Sequence, residues 1–449
     1  MSTLSEPVRR SKNPDRQNLN RQILNLAIPS MLAGITIPLV GMADTAIAGR
    51  LGSATAIGGI AIGSTLFDLL YWNFGFLRIG TAGITAQAFG RKDNHDIVRT
   101  GLQGLLVALG FSLLILLIQW PFANLVLWLS PSSPEVEILA RQYFFIRIWA
   151  APAVLTLFVF RGWFIGMQNT IASMIMDIVI NVCNIVLSIL LAFPGGMGIK
   201  GIALGTVMAQ YIGLACGVVL LFVYYRKMSC FVTGSAVFKK DGWSRFFNLS
   251  GNLFIRSVCM LLIYTGFTFL AAKYGDLLLA VATIMMKLLL LFAYFVDGFA
   301  YAGEALVGKF IGAGDKTSLI RSIKLLFIWS AGVGVVSTLF YLVGDQWLLR
   351  LMTSAPDVIE AAKPFLPWLY SMPLISCLSF MWDGIFIGAT AGKAMRNAMI
   401  LSVIAFYLSY IIFEKHLGIQ ALWIGYAAHL VVRSLAQTCM ARKHVFQVL

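Results

Sequence analysis

The chain has 449 residues, of which 59% are hydrophobic and only 12% charged, with a formal net charge of +15. A water-soluble domain carries about a quarter charged residues, so this balance leaves too little polar surface to cover a soluble globule. Apolar windows of about 20 residues recur along nearly the whole sequence, each long enough to cross a hydrocarbon core about 30 Å thick. No stretch shows the in–out alternation of a membrane β-barrel. The expected fold class is an all-α polytopic membrane protein.

In chain order, residues 1–20, MSTLSEPVRRSKNPDRQNLN, form a polar, basic tail. They are not a secretory signal, because the apolar stretch behind them is too long and runs on into further spans. Twelve transmembrane helices are expected, at about 22–47, 54–78, 98–121, 138–160, 166–192, 201–225, 246–271, 277–300, 322–344, 357–380, 385–413 and 418–439. If the N-terminus is inside, the inner segments hold 22 of the 34 Lys and Arg residues and the outer segments 7, with five inside spans. Arg161 counts among the inner ones. By the positive-inside rule both termini are then cytoplasmic, in a cell (inner) membrane. The net charge is this topology signal plus attraction to anionic lipid, and no nucleic-acid partner is expected. The six cysteines form no CxxC and the four histidines no HExxH, so neither a disulfide framework nor a metal site is expected.

Four strings recur at a nearly fixed offset. AGRLG at 48–52 answers to AAKYG at 271–275, AQAFGRKD at 86–93 to GKFIGAGD at 308–315, FIGMQ at 164–168 to FIGAT at 386–390, and GIKGIALG at 198–205 to GIQALWIG at 418–425. The offsets run 223, 222, 222 and 220. Six spans per half return the chain to its starting side, so the halves are parallel repeats about an axis along the membrane normal. The expected organisation is a tail (1–20), a six-helix bundle (21–225), a basic linker (226–245), a second bundle (246–440) and a C-terminal tail (441–449). A static scaffold is the bland alternative, but duplicated bundles with intramembrane charges suit an alternating-access carrier.

A carboxylate at the bilayer centre costs about 2.5–3.5 kcal/mol on insertion scales, so each one present is a functional candidate. Asp44 sits in the outer third of span 1, beyond Pro29 and Pro38 on a helix that proline can bend. It is placed to exchange a proton with the outer medium, the alternative being a surface aspartate that closes the helix. In span 5, Asp177, Asn181, Asn184 and Ser188 fall within about 40° of one another at 100° per residue, a polar stripe that faces either a cavity or another helix. Asp297 and Glu304, seven apart, share a face in the second half, with Arg256 and Lys287 as the natural counter-charges. Asp383, between spans 10 and 11, reads as a helix cap, and Asp68 as a buried residue beside aromatics that lines the cavity.

These strings resemble the MATE family of multidrug and toxin extrusion transporters, in its DinF-like branch. The span-1 carboxylate of MADTAIAGRLG resembles the family's coupling aspartate, and NIVLS at 184–188 sits where NIVLD is common. AYFVDGFAYAGEA (293–305), WDGIFIGATAGKAMRN (382–397), FIRS (254–257) and GIKGIALGTVMAQY (198–211) are similar to DinF-type segments. The resemblance spans about residues 20–440. It implies two six-helix bundles in a V and export of hydrophobic, often cationic compounds against inward H⁺ or Na⁺. Asp44 would be the ion-coupling carboxylate, with Asn184, Asn181 and Thr206 beside it and bending of span 1 as the switch. The cavity candidates are Asp177, Asp68, Ser188, Arg256, Lys287, Asp297 and Glu304.

Two departures shape the expectation. Ser188 replaces the family's second carboxylate, which favours H⁺ over Na⁺ because a lone protonatable group needs no oxygen cage. Lys287 leaves room for a zwitterionic or anionic substrate, and span 7 lacks the acid of a NorM-type cation site. The expectation is a proton-coupled exporter of small molecules that works as a monomer in the bilayer, with no cofactor beyond the ion gradient. A lipid or lipid-linked oligosaccharide flippase is the alternative and requires a more cationic cavity. A membrane enzyme would need a nucleophile–base or metal cluster, and the sequence offers none.

Overall fold

The computed structural model describes residues 14–50, 54–129, 133–231, 240–353 and 355–447. The basic tail before residue 14, the centre of the linker at 232–239 and the last two residues lie outside them. The regular structure of the described residues is helical. The first half contains α1 (Pro14–Arg50), α2 (Ala54–Trp72), α3 (Gly75–Arg91), α4 (Asn94–Leu129), α5 (Pro134–Arg147), α6 (Ala151–Gly166), α7 (Thr170–Ala192) and α8 (Ile199–Tyr225). The second contains α9 (Lys240–Ala272), α10 (Asp276–Ala313), α11 (Lys316–Met352), α12 (Pro356–Ala362), α13 (Leu366–Gly388), α14 (Gly392–Leu417) and α15 (Gln420–Ala441). Pairs α2–α3, α5–α6 and α12–α13 each make one broken passage, so the chain crosses twelve times as two six-passage bundles. Eleven passages are apolar enough to be spans by composition alone. The twelfth, α15, carries buried His429, Arg433 and Gln437 in its interior.

Helix is the form lipid demands, because each segment must satisfy its own backbone. The outer face stays apolar: Leu117 and Val343 are 70% and 88% exposed. Span limits differ from expectation at several places, four of which bear on the site. The second and eighth passages run on to Arg91 and Ala313 rather than stopping near 78 and 300, and the breaks before the fifth and eleventh fall at 167–169 and 389–391. Arg161 is therefore inside α6, not in a loop.

The repeated strings prove to be the places where helices stop. Lys92 and Gly314, at φ 58° and 71°, end α3 and α10; Gln168 and Thr390, at 61° and 53°, end α6 and α13; Gly198 and Gly418, at 54° and 53°, precede α8 and α15. Left-handed residues are the usual way to end a helix, and three of these are not glycine, so the turn holds against an intrinsic cost. Asp93 and Asp315 follow the first pair, and their carboxylates accept the Asp96 and Ser318 amides at 3.0 and 2.9 Å, capping α4 and α11.

The halves meet through glycines. A Cβ at Gly90 would lie 2.0 Å from the Lys309 carbonyl oxygen, and one at Gly312 would lie 2.0 Å from that of Gln87. Shifting Gly90 and Gln87 by 222 gives Gly312 and Lys309, so one contact is made twice and the pseudo-twofold axis passes between α3 and α10. The hydrogen bonds that cross between halves lie at this Lys/Arg-rich end and at mid-depth. Gln87 Nε2 donates to Gly388 O (3.0 Å) and Gln168 Nε2 to Ala305 O (2.8 Å). Arg245 donates to Gln87 Oε1 (2.7 Å), and the Trp329 indole to Asn20 (3.1 Å). The basic end is thereby closed.

Candidate functional site

In the first half, α1 carries Asp44 at 7% exposure, and its Oδ1 has no hydrogen-bond partner among the described residues. The charge that faces it comes from α5: Arg147 and Tyr143 act on it electrostatically. The Arg147 guanidinium donates to the Tyr143 hydroxyl at 2.7 Å and lies 4.7 Å above the Phe67 ring. It stands within reach of Asp44 but forms no ion pair with it among the described residues. Sequence reasoning passed over Arg147, which it counted only as a cation inside a span.

The polar stripe of α7 turns its donors to neighbouring helices, while the Asn184 Oδ1 has no partner among the described residues. Asn181 Nδ2 donates to Thr36 Oγ1 of α1 at 2.5 Å, and Asn184 Nδ2 to Thr206 Oγ1 of α8 at 2.9 Å. Ser188 is fully buried with its hydroxyl 3.5 Å from the Ile202 carbonyl, where α8 comes so close that a Cβ on Gly205 would lie 2.7 Å from the Ser188 amide. Ser188 is thus an inter-helix contact, not a cavity wall. Thr36 marks the level of Asn181. Asp44 is eight residues further out on α1, about 12 Å at 1.5 Å per residue, and Asn184 only three residues, about 4.5 Å. Asn184 therefore sits below Asp44, and its hydrogen bond goes to Thr206. Asp177, expected to line the cavity, accepts from Arg161 Nε at 2.6 Å.

Asp68 is exposed, not buried as expected. It lies within electrostatic range of Arg147 and of Tyr294 in the second half. The ring against the first-half core is its neighbour Phe67, 5.1 Å from Phe144.

A second cavity of about 310 Å³ lies between the halves, its walls carrying Arg78 of α3 and, from the second half, Arg256, Asp297, Glu304, Asp383 and Arg433. The pairing differs from expectation. Glu304, fully buried, accepts from Arg78 at 3.2 Å, a bridge from α10 to α3 in the other half. Arg256 instead meets Asp383, which also takes Arg433 and, at 2.7 Å, the Gln437 amide. Asp383 is no helix cap: it sits inside α13 at 6% exposure. Lys287 is exposed on α10 and forms no ion pair among the described residues. Arg78 and Arg433 were missed for the same reason as Arg147. The signal was present, since the five Lys and Arg residues inside spans are as costly as the acids.

A family model described as MatE matches residues 29–190 and again 253–413, once per half. DNA damage-inducible protein F of Escherichia coli (strain K12) is 35% identical over 435 residues, covering 95% of this chain and 92% of its own. A probable multidrug resistance protein NorM of Thermotoga maritima is 24% identical over 445 residues, covering 93% and 90%. Among solved structures, an outward-facing conformation of a multidrug resistance MATE family transporter of the MOP superfamily superposes with a TM-score of 0.86 at 16% identity, covering 98% and 99%. A MATE in the bent conformation gives 0.85 at 16%, covering 96% and 97%.

Proposed function

The chain belongs to the MatE family of multidrug and toxin efflux transporters, and we propose that it exports hydrophobic, cationic small molecules in exchange for protons taken up on Asp44. The observation that carries this is the Asp44 carboxyl, buried with an unpartnered oxygen in the half of α1 that lies past Pro29 and Pro38. The positive-inside count puts the sealed basic end, both termini included, in the cytoplasm of an inner membrane. In that orientation Asp44 lies toward the outer end of α1, the side from which a proton arrives.

Arg147 supplies the balancing charge once Asp44 is ionised. Proton uptake removes the negative charge that Arg147 balances and frees α1 to bend about its prolines. A cationic substrate that reaches Asp44 competes for the same carboxylate, so proton and substrate occupy it in turn. The proton is favoured over Na⁺ because Ser188 offers no second carboxylate, and Asn184, whose Oδ1 has no partner among the described residues, lies about 7.5 Å below Asp44 at 1.5 Å per residue. A monovalent cation exchanged for one proton moves no net charge, so the pH difference drives it at about 1.4 kcal/mol per unit. The flippase alternative fits less well, because the three arginines of the second cavity face three acids.

The test is ethidium uptake into everted vesicles under an imposed pH or Na⁺ gradient. We expect pH-driven transport that Asp44→Asn abolishes. A strict Na⁺ requirement would sink the proton reading.

A further inference from the structure

A separate pocket opens at the Lys/Arg-rich end of the second half. Its volume is about 280 Å³, and among the described residues its lining comes from the second half alone. Arg245, Asn248 and Asn252 reach it from α9, Lys393 from the start of α14, and His444 from the turn at Arg442–Phe446 behind α15. The floor is closed where α9 and α14 touch: a Cβ on Gly392 would lie 2.8 Å from Leu249 and 3.3 Å from Asn252. The mouth is open, with Lys393 and Asn248 exposed.

No acid lines this pocket among the described residues. Lys393 and His444 form no hydrogen bond or ion pair among them either. Arg245 donates to Gln87 and stands 3.8 Å from Asp96, but Asp96 already takes Arg91 at 2.6 Å and Arg99 as well. One carboxylate against three guanidiniums leaves Arg245 uncompensated. Like charges gathered around a cavity repel one another unless an anion enters between them. Topology asks only that basic residues lie on this side of the membrane. It does not ask three separate segments to turn them on one pocket.

We propose that this pocket binds a phosphate group, presented by the headgroup of an anionic phospholipid or by a free phosphate compound. Arg245, Lys393 and His444 approach from three segments, which suits the several oxygens of a phosphate better than the two of a carboxylate. Lysine supplies a point charge and arginine a fork of donors. Asn248, whose side-chain nitrogen has no partner among the described residues, adds a neutral donor. The positive-inside count sets the mouth at the cytoplasmic leaflet, where anionic lipid gathers.

Energy transfer from the tryptophans of the purified full chain to a phosphatidylglycerol with a pyrene-labelled acyl chain, in uncharged detergent, reads the binding. Each cation near an anionic headgroup contributes about fivefold, so Lys393→Glu, a change of two charges, should weaken the lipid about thirtyfold. An acid in the first turn of a helix is favourable, so the melting temperature should hold and the loss reports the site, not the fold. Lys393→Arg should keep the parent affinity. Lys227→Glu makes the same charge change on an exposed linker residue outside the pocket and should leave the affinity unchanged. Unchanged binding in Lys393→Glu, or an equal loss in Lys227→Glu, would overturn the site and leave only general attraction to a basic surface. Inorganic phosphate, compared with chloride at matched ionic strength, separates the two sources. Displacement of the lipid assigns the site to free phosphate, and a lipid that stays bound assigns it to the headgroup. Binding is read at equilibrium without a gradient, so a failure of the proton-coupling reading leaves this readout standing.

Discussion

Asp44 and Asp383 are both carboxylates buried at membrane depth, and their surroundings prepare them for opposite tasks. Asp383 has two guanidinium partners and an amide, and removing it strands two arginines in a site lined by protein. Breaking a buried pair costs about 3–5 kcal/mol, so Asp383→Asn should lower the melting temperature in detergent sharply, by several degrees. Asp44 has an oxygen with no partner among the described residues, and Asp44→Asn should melt close to the parent while transport stops. Arg78→Gln should destabilise like the Asp383 change, because it strands Glu304, and Arg78→Leu combined with Glu304→Leu should recover most of the loss. A double change no more stable than Arg78→Gln would show that the bridge is not what holds Glu304. The acids were legible in the sequence as costly charges. Their partners were not, because Arg78 and Glu304 stand 226 residues apart and only the fold brings them together.

At the scale of elements, hydropathy reveals where a helix crosses lipid but not where it ends. The last turns of α3 and α10, AQAFGR and GKFIGA, are too polar or too small to read as membrane, yet they stay helical because each packs on the other through Gly90 and Gly312. Gly312→Ala places a methyl 2.0 Å from the Gln87 carbonyl, where overpacking costs about 1–3 kcal/mol. We expect a lower melting temperature and faster labelling of a cysteine introduced at the basic end; unchanged labelling would mean that this contact does not seal it. The Asp315 cap gives a pH signature outside the membrane. Hydrogen bonds from the Ser318 hydroxyl and amide hold the Asp315 carboxyl below its ordinary 3.8. The cap's contribution is therefore complete at neutral pH and is lost as the pH falls through that depressed value. Asp315→Ala should cost about 1 kcal/mol at pH 7, a gap in melting temperature that closes in acid; a gap independent of pH would contradict the cap.

Across the whole molecule, the repeat preserves the backbone and replaces the charges. Helix stops, caps and close glycine contacts recur at offsets of 220–222, and for that reason the duplication could be read from short strings. The functional groups do not recur. At the same spacing Glu304 answers to Ala82, Asp297 to Gly75, and Asp383 to Arg161, which has the opposite sign. Asp44 answers to Phe267, 1% exposed and packed 5.0 Å from Trp423, a position with no proton to exchange. Each half thus has its own chemistry on a shared frame, and the proton belongs to the first. The most direct measurement of that claim is proton release when ethidium is added to the purified protein in weakly buffered solution. The account predicts release from the parent chain, insensitive to Na⁺, and none from Asp44→Asn; equal release from both would contradict it.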